Sequence, residues 1–137
     1  MRVLCVCLGN ICRSPTAEAV LRTKAPDWEI DSAGTAGWHV GKPPYGPMQE
    51  AAKGRGYDLS PLRARKFSAR DFEDFDLILA MDEENRTDIE AQRPTGSTTK
   101  VALFADTAVP DPYYTRDFDG ALSMIEDAAD ALIRSHK

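Results

Sequence analysis

Strands and helices alternate along the 137 residues of this chain, and that alternation predicts an α/β fold on a parallel sheet. Three observations carry the prediction. Val3-Leu4-Cys5-Val6 and Leu77-Ile78-Leu79-Ala80-Met81 are continuous apolar runs, as strands buried on both faces should be. Helix-type segments separate the strand-type ones. The last segment, Thr115 to Ser135, spaces Phe118, Leu122, Ile125, Ala129 and Leu132 three or four apart, an apolar stripe that needs a sheet or helix to pack on.

The elements follow in order. Met1 to Val6 is the first strand. Ser14-Pro15-Thr16-Ala17-Glu18 reads as a helix start, with Ser14 as polar cap, Pro15 at the first helical position and a nearby Glu, and the helix runs to about Ala25. Trp28 to Ser32 alternates like a second strand, which Ala33-Gly34 breaks. Residues 37–47 hold three glycines and three prolines and form a loop. Met48 to about Arg55 is a short helix closed by Gly54 or Gly56, and Ser60 to Lys66 is irregular. A short helix opens at Ser68 to Asp71 and contains Phe72. After the third strand, Asp82 to about Gln92 is helical, Lys100 to Phe104 is the fourth strand, and residues 106–114 are loop. The outcome is a three-layer α/β/α arrangement with a central four-stranded parallel sheet in the flavodoxin-like order 2-1-3-4. Ligand sites in such sheets lie beyond the carboxyl ends of the strands. Cys7, Asp82 and Asp111 all fall there.

Bulk properties narrow the function. The length suits one domain, residues 1–137, with one adequate core. Net charge is −5 and no long basic block exists, which argues against nucleic acid as a partner; Arg63, Arg65, Lys66 and Arg70 read as a solvated face. No apolar run approaches the ~20 residues of a membrane span, and the N-terminus lacks a signal segment, so a cytoplasmic location is expected. The 3 cysteines crowd into residues 5–12, unlike a secreted disulfide framework. Zinc ligation by Cys5, Cys7 and Cys12 is set aside: only 2 His exist, and Cys5 and Cys7 are expected on opposite sides of their strand. Cys5 reads as a small buried hydrophobe.

Residues 7–14, Cys-Leu-Gly-Asn-Ile-Cys-Arg-Ser, join the first strand to the first helix. Backbone N–H groups of such a loop and the positive end of the helix dipole favour a bound tetrahedral anion. The same field favours thiolate at Cys7, and Arg13 offers a planar fork of donors to phosphate oxygens. A free thiol near pKa ~8.5 is mostly protonated at neutral pH, and a lowering of about three units takes roughly 4 kcal/mol of preference for the anion. Ser14 can donate to the sulfur, Gly9 permits a tight backbone path, and Asn10 tolerates a left-handed conformation. The loop suits attack by sulfur on phosphorus. The leaving oxygen then needs a proton. Asp111, in Val109-Pro110-Asp111-Pro112-Tyr113-Tyr114, is the best donor: two prolines stiffen its backbone, and Tyr113 and Tyr114 add aromatic faces suited to a flat phosphoester. Asp82 either caps the following helix or orients Arg13. Trp38 reads as a site wall, His39 as solvent-exposed, and Ser32 as a turn or network residue.

Taken together, Cys-x5-Arg-Ser near the N-terminus, Ser32-Ala33-Gly34-Thr35, Trp38-His39-Val40-Gly41, Ala64-Arg65, Phe75 to Asp82 and Asp111-Pro112-Tyr113-Tyr114 resemble the low-molecular-weight protein tyrosine phosphatases over nearly the whole chain. The resemblance implies Cys7 as nucleophile, Arg13 as transition-state clamp and Asp111 as acid then base. It implies a phosphate-binding loop of Leu8, Gly9, Asn10, Ile11, Cys12 and Ser14, support from Ser32 and Asp82, and a mouth lined by Trp38, Tyr113 and Tyr114 with Leu8 and Ile11. Cys12 matches a family cysteine that pairs reversibly with the nucleophile on oxidation. The implied partner is a phosphotyrosine protein, with phosphate or another oxyanion held in the loop, no metal or other cofactor, and a monomer or weak dimer. Two stretches depart from the family. Leu62 stands where many members carry a His joined to the Asn-Ser network, and Pro43 to Met48 replaces a usual Asp-x-Arg pair. Three other functions compete: a protein-arginine phosphatase, whose relatives carry Thr at the position of Ile11 and lack the paired tyrosines; a thioredoxin-coupled arsenate reductase, which needs relay cysteines absent from residues 13–137; and a silent phosphopeptide binder.

Overall fold

The computed structural model describes residues 1–136. Four parallel strands, β1 (Arg2–Cys7), β2 (Glu29–Gly34), β3 (Leu77–Ala80) and β4 (Lys100–Leu103), stand in the order β2-β1-β3-β4. Helices α1 (Arg13–Lys24), α2 (Gly46–Lys53) and α6 (Phe118–Ser135) belong to one layer, and α3 (Asp71–Asp74) and α4 (Glu83–Glu90) to the other. A short helical turn, α5 (Pro112–Thr115), precedes α6.

The unbroken apolar runs have the predicted cause. Side chains alternate across a strand, and here both sides are covered. Val3, Cys5 and Cys7 join Leu77 and Leu79 in the core under α1, α2 and α6, with Val20, Leu21, Met48, Leu122 and Ile125. Leu4, Val6, Ile78 and Ala80 pack on the other side with Phe67, Phe72 and Ile89. Cys5 and Cys7 thus share a face, contrary to expectation, because residues two apart in a strand must. Cys5 packs as an apolar residue, and burial pushes its thiol well above the ordinary range.

Several boundaries differ from the sequence reading. Helix α1 starts at Arg13, not Pro15, and its N-cap is Cys12. Ser14 is therefore inside the first turn, and its hydroxyl serves the Cys7 sulfur rather than a helix end. Strand β2 continues through Ala33 and Gly34, held by pairing with Val6 and Cys7. Residues 112–115 are helical rather than loop, because Asp111 caps them by accepting from the Tyr113 N–H. Helix α6 begins at Phe118 behind its own cap, Asp117.

Two contacts tie the site-bearing segments to the scaffold. Glu18 on α1 is buried and accepts from Ser32 Oγ on β2 at 2.6 Å, while Arg22 meets its other oxygen at 2.7 Å. Gly34 lies against loop backbone: a Cβ there would sit 2.9 Å from the Leu8 carbonyl oxygen and 3.1 Å from the Gly9 carbonyl carbon. Neither neighbour is a flexible side chain, so Gly34→Ala should displace the Leu8–Gly9 backbone and cost about 2 kcal/mol, read by urea unfolding; unchanged stability with full activity would refute the close approach.

Burial raises the Glu18 carboxyl above its ordinary value, against the opposing effects of Ser32 and Arg22. A carboxyl raised in the folded state holds its proton more tightly there than in the unfolded chain. Its contribution to stability therefore falls as pH rises from the unfolded value, about 4.3, through the higher folded one. Glu18→Gln should remove that decline, measured by urea unfolding at steps across this range; an identical slope in the variant would show that Glu18 is not its source.

Candidate active site

The phosphate-type loop turns between β1 and α1 around the Cys7 sulfur. Asn10 takes the left-handed conformation, φ 57°, and its N–H donates to Cys7 Sγ at 3.2 Å. Ser14 Oγ lies 3.0 Å from the same sulfur. The Asn10 side chain is fully engaged: Nδ2 donates to Ser14 Oγ at 2.8 Å and to Ser32 Oγ at 3.0 Å, and Oδ1 accepts from the Arg65 N–H at 3.0 Å. Because Ser14 Oγ accepts from Asn10, its own proton is free to point at Cys7, the nearer of its two acceptors; the Ala33 carbonyl is at 3.4 Å. Ser32 Oγ in turn donates to Glu18 Oε1. Cys7, Asn10, Ser14, Ser32 and Glu18 are all buried. Leu62 takes no part in it and packs against the core; the Arg65 backbone and Glu18 complete the brace without a histidine.

Arg13 is buried and charged, so its partners decide whether it is tolerated. Nη1 donates to Asp82 Oδ2 at 2.7 Å and to the Val109 carbonyl at 3.0 Å, and Nη2 reaches Asp111 Oδ2 at 3.4 Å. Burial opposes the charge, but Cys7, Asp82 and Asp111 outweigh it and raise the Arg13 pKa. Nε is buried with no protein acceptor. The Nε–Nη2 edge is thus the side of the fork able to serve an anion, the pairing that planar guanidinium makes with phosphate oxygens. Asp82 does both things proposed for it: Oδ2 holds Arg13 while Oδ1 accepts from the Asn85 N–H and caps α4.

Cys7 and Asp111 meet at a narrow pocket of about 40 Å³, lined also by Leu8, Gly9, Ile11, Cys12, Trp38, His39, Tyr113 and Tyr114. A larger concavity lies elsewhere, an open groove of about 730 Å³ between α2 and residues 56–60 that contains none of the candidate residues. Trp38 and Tyr114 are strongly exposed and Tyr113 less so, which makes the rim aromatic. Cys12 is buried, and burial first, then Asp111 and Cys7, push its thiol up to about 12; it stays a thiol beside Cys7.

Sequence reasoning missed four contributors. His39 is half-buried rather than exposed and lies against Gly9, 3.1 Å from where a Cβ would sit. The Val109 carbonyl and the Arg65 N–H are backbone groups, invisible to any side-chain pattern. Glu18 had a signal, since an acidic residue beside Ala17, Val20 and Leu21 on a buried face demands a partner.

A family model described as low molecular weight phosphotyrosine protein phosphatase matches residues 2–137. The low molecular weight phosphotyrosine protein phosphatase of Schizosaccharomyces pombe is 45% identical over 128 residues, 83% of this chain and 81% of its own. YfkJ of Bacillus subtilis, a low molecular weight protein-tyrosine-phosphatase, is 38% identical over 146 residues, 97% of this chain and 94% of its own. Its crystal structure matches with a TM-score of 0.91 over 98% of this chain and 93% of that one. The crystal structure of a Drosophila arginine phosphatase matches with a TM-score of 0.93 at 34% identity, over 100% of this chain and 98% of that one. Fold alone therefore does not separate those two substrates, but the family is shown: this chain belongs to the low molecular weight phosphotyrosine protein phosphatases.

Proposed function

We propose that the chain hydrolyses phosphotyrosine in proteins through a phosphocysteine formed on Cys7. One observation carries the reading: Cys7 and Asp111 line one narrow pocket under an aromatic rim, and Arg13, its Nε without a protein acceptor, reaches Asp111 through Nη2.

In the first step the Cys7 thiolate attacks phosphorus. The bond to the tyrosine oxygen breaks, and that oxygen takes the proton of the Asp111 carboxylic acid. Arg13 holds two equatorial oxygens as charge spreads over them. In the second step the Asp111 carboxylate takes a proton from water as the water attacks the phosphocysteine. The P–S bond breaks, releasing phosphate and restoring the thiolate. Ser14 and the Asn10 N–H donate to sulfur and stabilise its negative charge as leaving group. Trp38, Tyr113 and Tyr114 pack on the phenyl ring of the substrate.

Phosphoarginine would bring a guanidinium, which needs acceptors around it. Ile11 in the pocket wall supplies an apolar side chain instead, and a phenyl ring requires nothing more. The expected partner is a phosphoprotein with an exposed tyrosine. Among the described residues, no helix is long and apolar enough to cross a membrane.

The reduced protein, offered phosphotyrosine, phosphoserine and phosphoarginine, should turn over phosphotyrosine alone; preference for phosphoarginine would reverse the reading of Ile11. Cys7→Ser should lower turnover at least about 10³-fold while phosphate analogues still bind, and turnover near the parent rate would remove Cys7 from the nucleophile role. Asp111→Asn should slow poor leaving groups by about 100-fold and 4-nitrophenyl phosphate far less. An equal loss on both would take the acid role from Asp111.

A further inference from the structure

We propose that Tyr45 and Arg116 clamp the phosphate-binding loop to the turn carrying Asp111, and that they are positioning residues for proton transfer to the leaving group. The proposal rests on the reading of Asp111 as the acid.

Arg116 is one of two non-glycine residues with positive φ among those described, at φ 63° and ψ 11°. An L residue pays about 1 kcal/mol for that conformation, and glycine would adopt it freely. The conformation directs the Arg116 N–H to the Pro112 carbonyl at 2.9 Å, closing the turn that Asp111 caps. It also sends the guanidinium back across two rings, 5.4 Å from the centre of Tyr45 and 5.2 Å from that of Phe118. Nη1 donates to the Tyr45 hydroxyl at 3.0 Å.

Tyr45 faces the other half of the site. Its N–H donates to the Ile11 carbonyl at 2.8 Å, inside the phosphate-binding loop. Its ring lies 5.1 Å from Tyr113, tilted by 56°, and the Tyr113 N–H donates to Asp111 Oδ1 at 3.1 Å. Contacts therefore run without a break from Ile11 through Tyr45 to Asp111, along two routes: through Arg116 and through Tyr113. The remaining side-chain tie of Asp111 among the described residues is Arg13 Nη2 at 3.4 Å, long for a charge-assisted bond. That bond alone does not fix the carboxyl laterally, and the turn must do so. Tyr45 stands in the proline-rich stretch Pro43 to Met48. An aromatic–guanidinium contact occupies that position here.

Each contact is weak by itself, with an exposed cation–π pair contributing about 0.5–1 kcal/mol. Its consequence is geometric. Proton transfer needs donor and acceptor at hydrogen-bond distance, and small displacements of the acid slow it. A displaced acid hurts poor leaving groups most, since good ones depart with little protonation. A contact that only stabilised the fold would have no such selectivity.

The test uses Arg116→Gly, which keeps the left-handed backbone and removes the guanidinium, and Tyr45→Phe, which keeps the ring and removes the acceptor. Both are compared with Asp111→Asn on phenyl phosphate and 4-nitrophenyl phosphate, with inhibition by inorganic phosphate as a measure of the loop. Arg116→Gly should lower kcat/KM on phenyl phosphate about three- to tenfold more than on 4-nitrophenyl phosphate, with phosphate inhibition unchanged. Tyr45→Phe should shift the ratio the same way, and the double variant should fall short of the product of the two. Equal losses on both substrates, or a loss of thermal stability with the ratio intact, would overturn the clamp. If Asp111→Asn itself leaves the ratio unchanged, the acid reading fails and the clamp with it. If Asp111→Asn changes the ratio and Arg116→Gly does not, the clamp alone fails.

Discussion

A guanidinium buried at the junction of three segments organises this molecule. Arg13 starts α1, yet its partners come from the segments that follow β3 and β4: Asp82, the Val109 carbonyl and Asp111. A buried charge left without partners costs several kcal/mol, about 3–5 when one partner of such a pair is removed. The chain is obliged to bring those segments to Arg13, and doing so assembles the pocket. Asp111, the aromatic turn behind it and the loop around Cys7 are neighbours because one cation needs all of their attachment points.

The loop itself is held by a second constraint of a different kind. A left-handed Asn10 exposes its amide to Ser14, Ser32 and the Arg65 N–H at once. Every donor and acceptor of that amide has a protein partner, so its orientation is set, and the hydroxyl of Ser14 is left to face the sulfur. Gly34 lets strand β2 run close enough for Ser32 to take part, with the Leu8 and Gly9 backbone within contact of the missing Cβ. Packing and polarity act together here: the sheet delivers Ser32 and Ala33, and the buried amide settles which proton points where. Glu18 ends the chain of bonds and ties α1 to β2; Leu62 takes no part in it and packs against the core.

Much of this was legible residue by residue. The two-sided burial of β1 and β3 follows from unbroken apolar runs, the stripe from Leu122 to Ala129 from its spacing, and the placement of Cys7, Asp82 and Asp111 on one edge from the alternation of strand and helix. The misreadings were local. Ser14 looked like a helix cap because cap and thiol partner require the same hydroxyl. Residues 112–115 looked like loop because a single helical turn has no periodicity to detect. Asp82 looked like a choice between capping and holding Arg13, whereas a carboxylate has two oxygens and uses one for each. His39 looked exposed because nothing in its neighbours announces that the loop folds over Gly9.

The sequence by itself determined the class of fold, the cysteine loop with its arginine, and the edge of the sheet where they meet. Those depend on hydrophobic periodicity and on a short contiguous motif, which are local properties. Only the tertiary structure decided which edge of Arg13 is left for an anion, how the Asn10 amide is oriented, and that Tyr45 and Arg116 join the loop to the Asp111 turn. These are contacts between residues as far apart as 98 positions, as from Arg13 to Asp111, and several are made by backbone carbonyls and N–H groups. Such groups are the same in every residue, so the chain's pattern cannot announce them; only their position in the folded molecule gives them a partner.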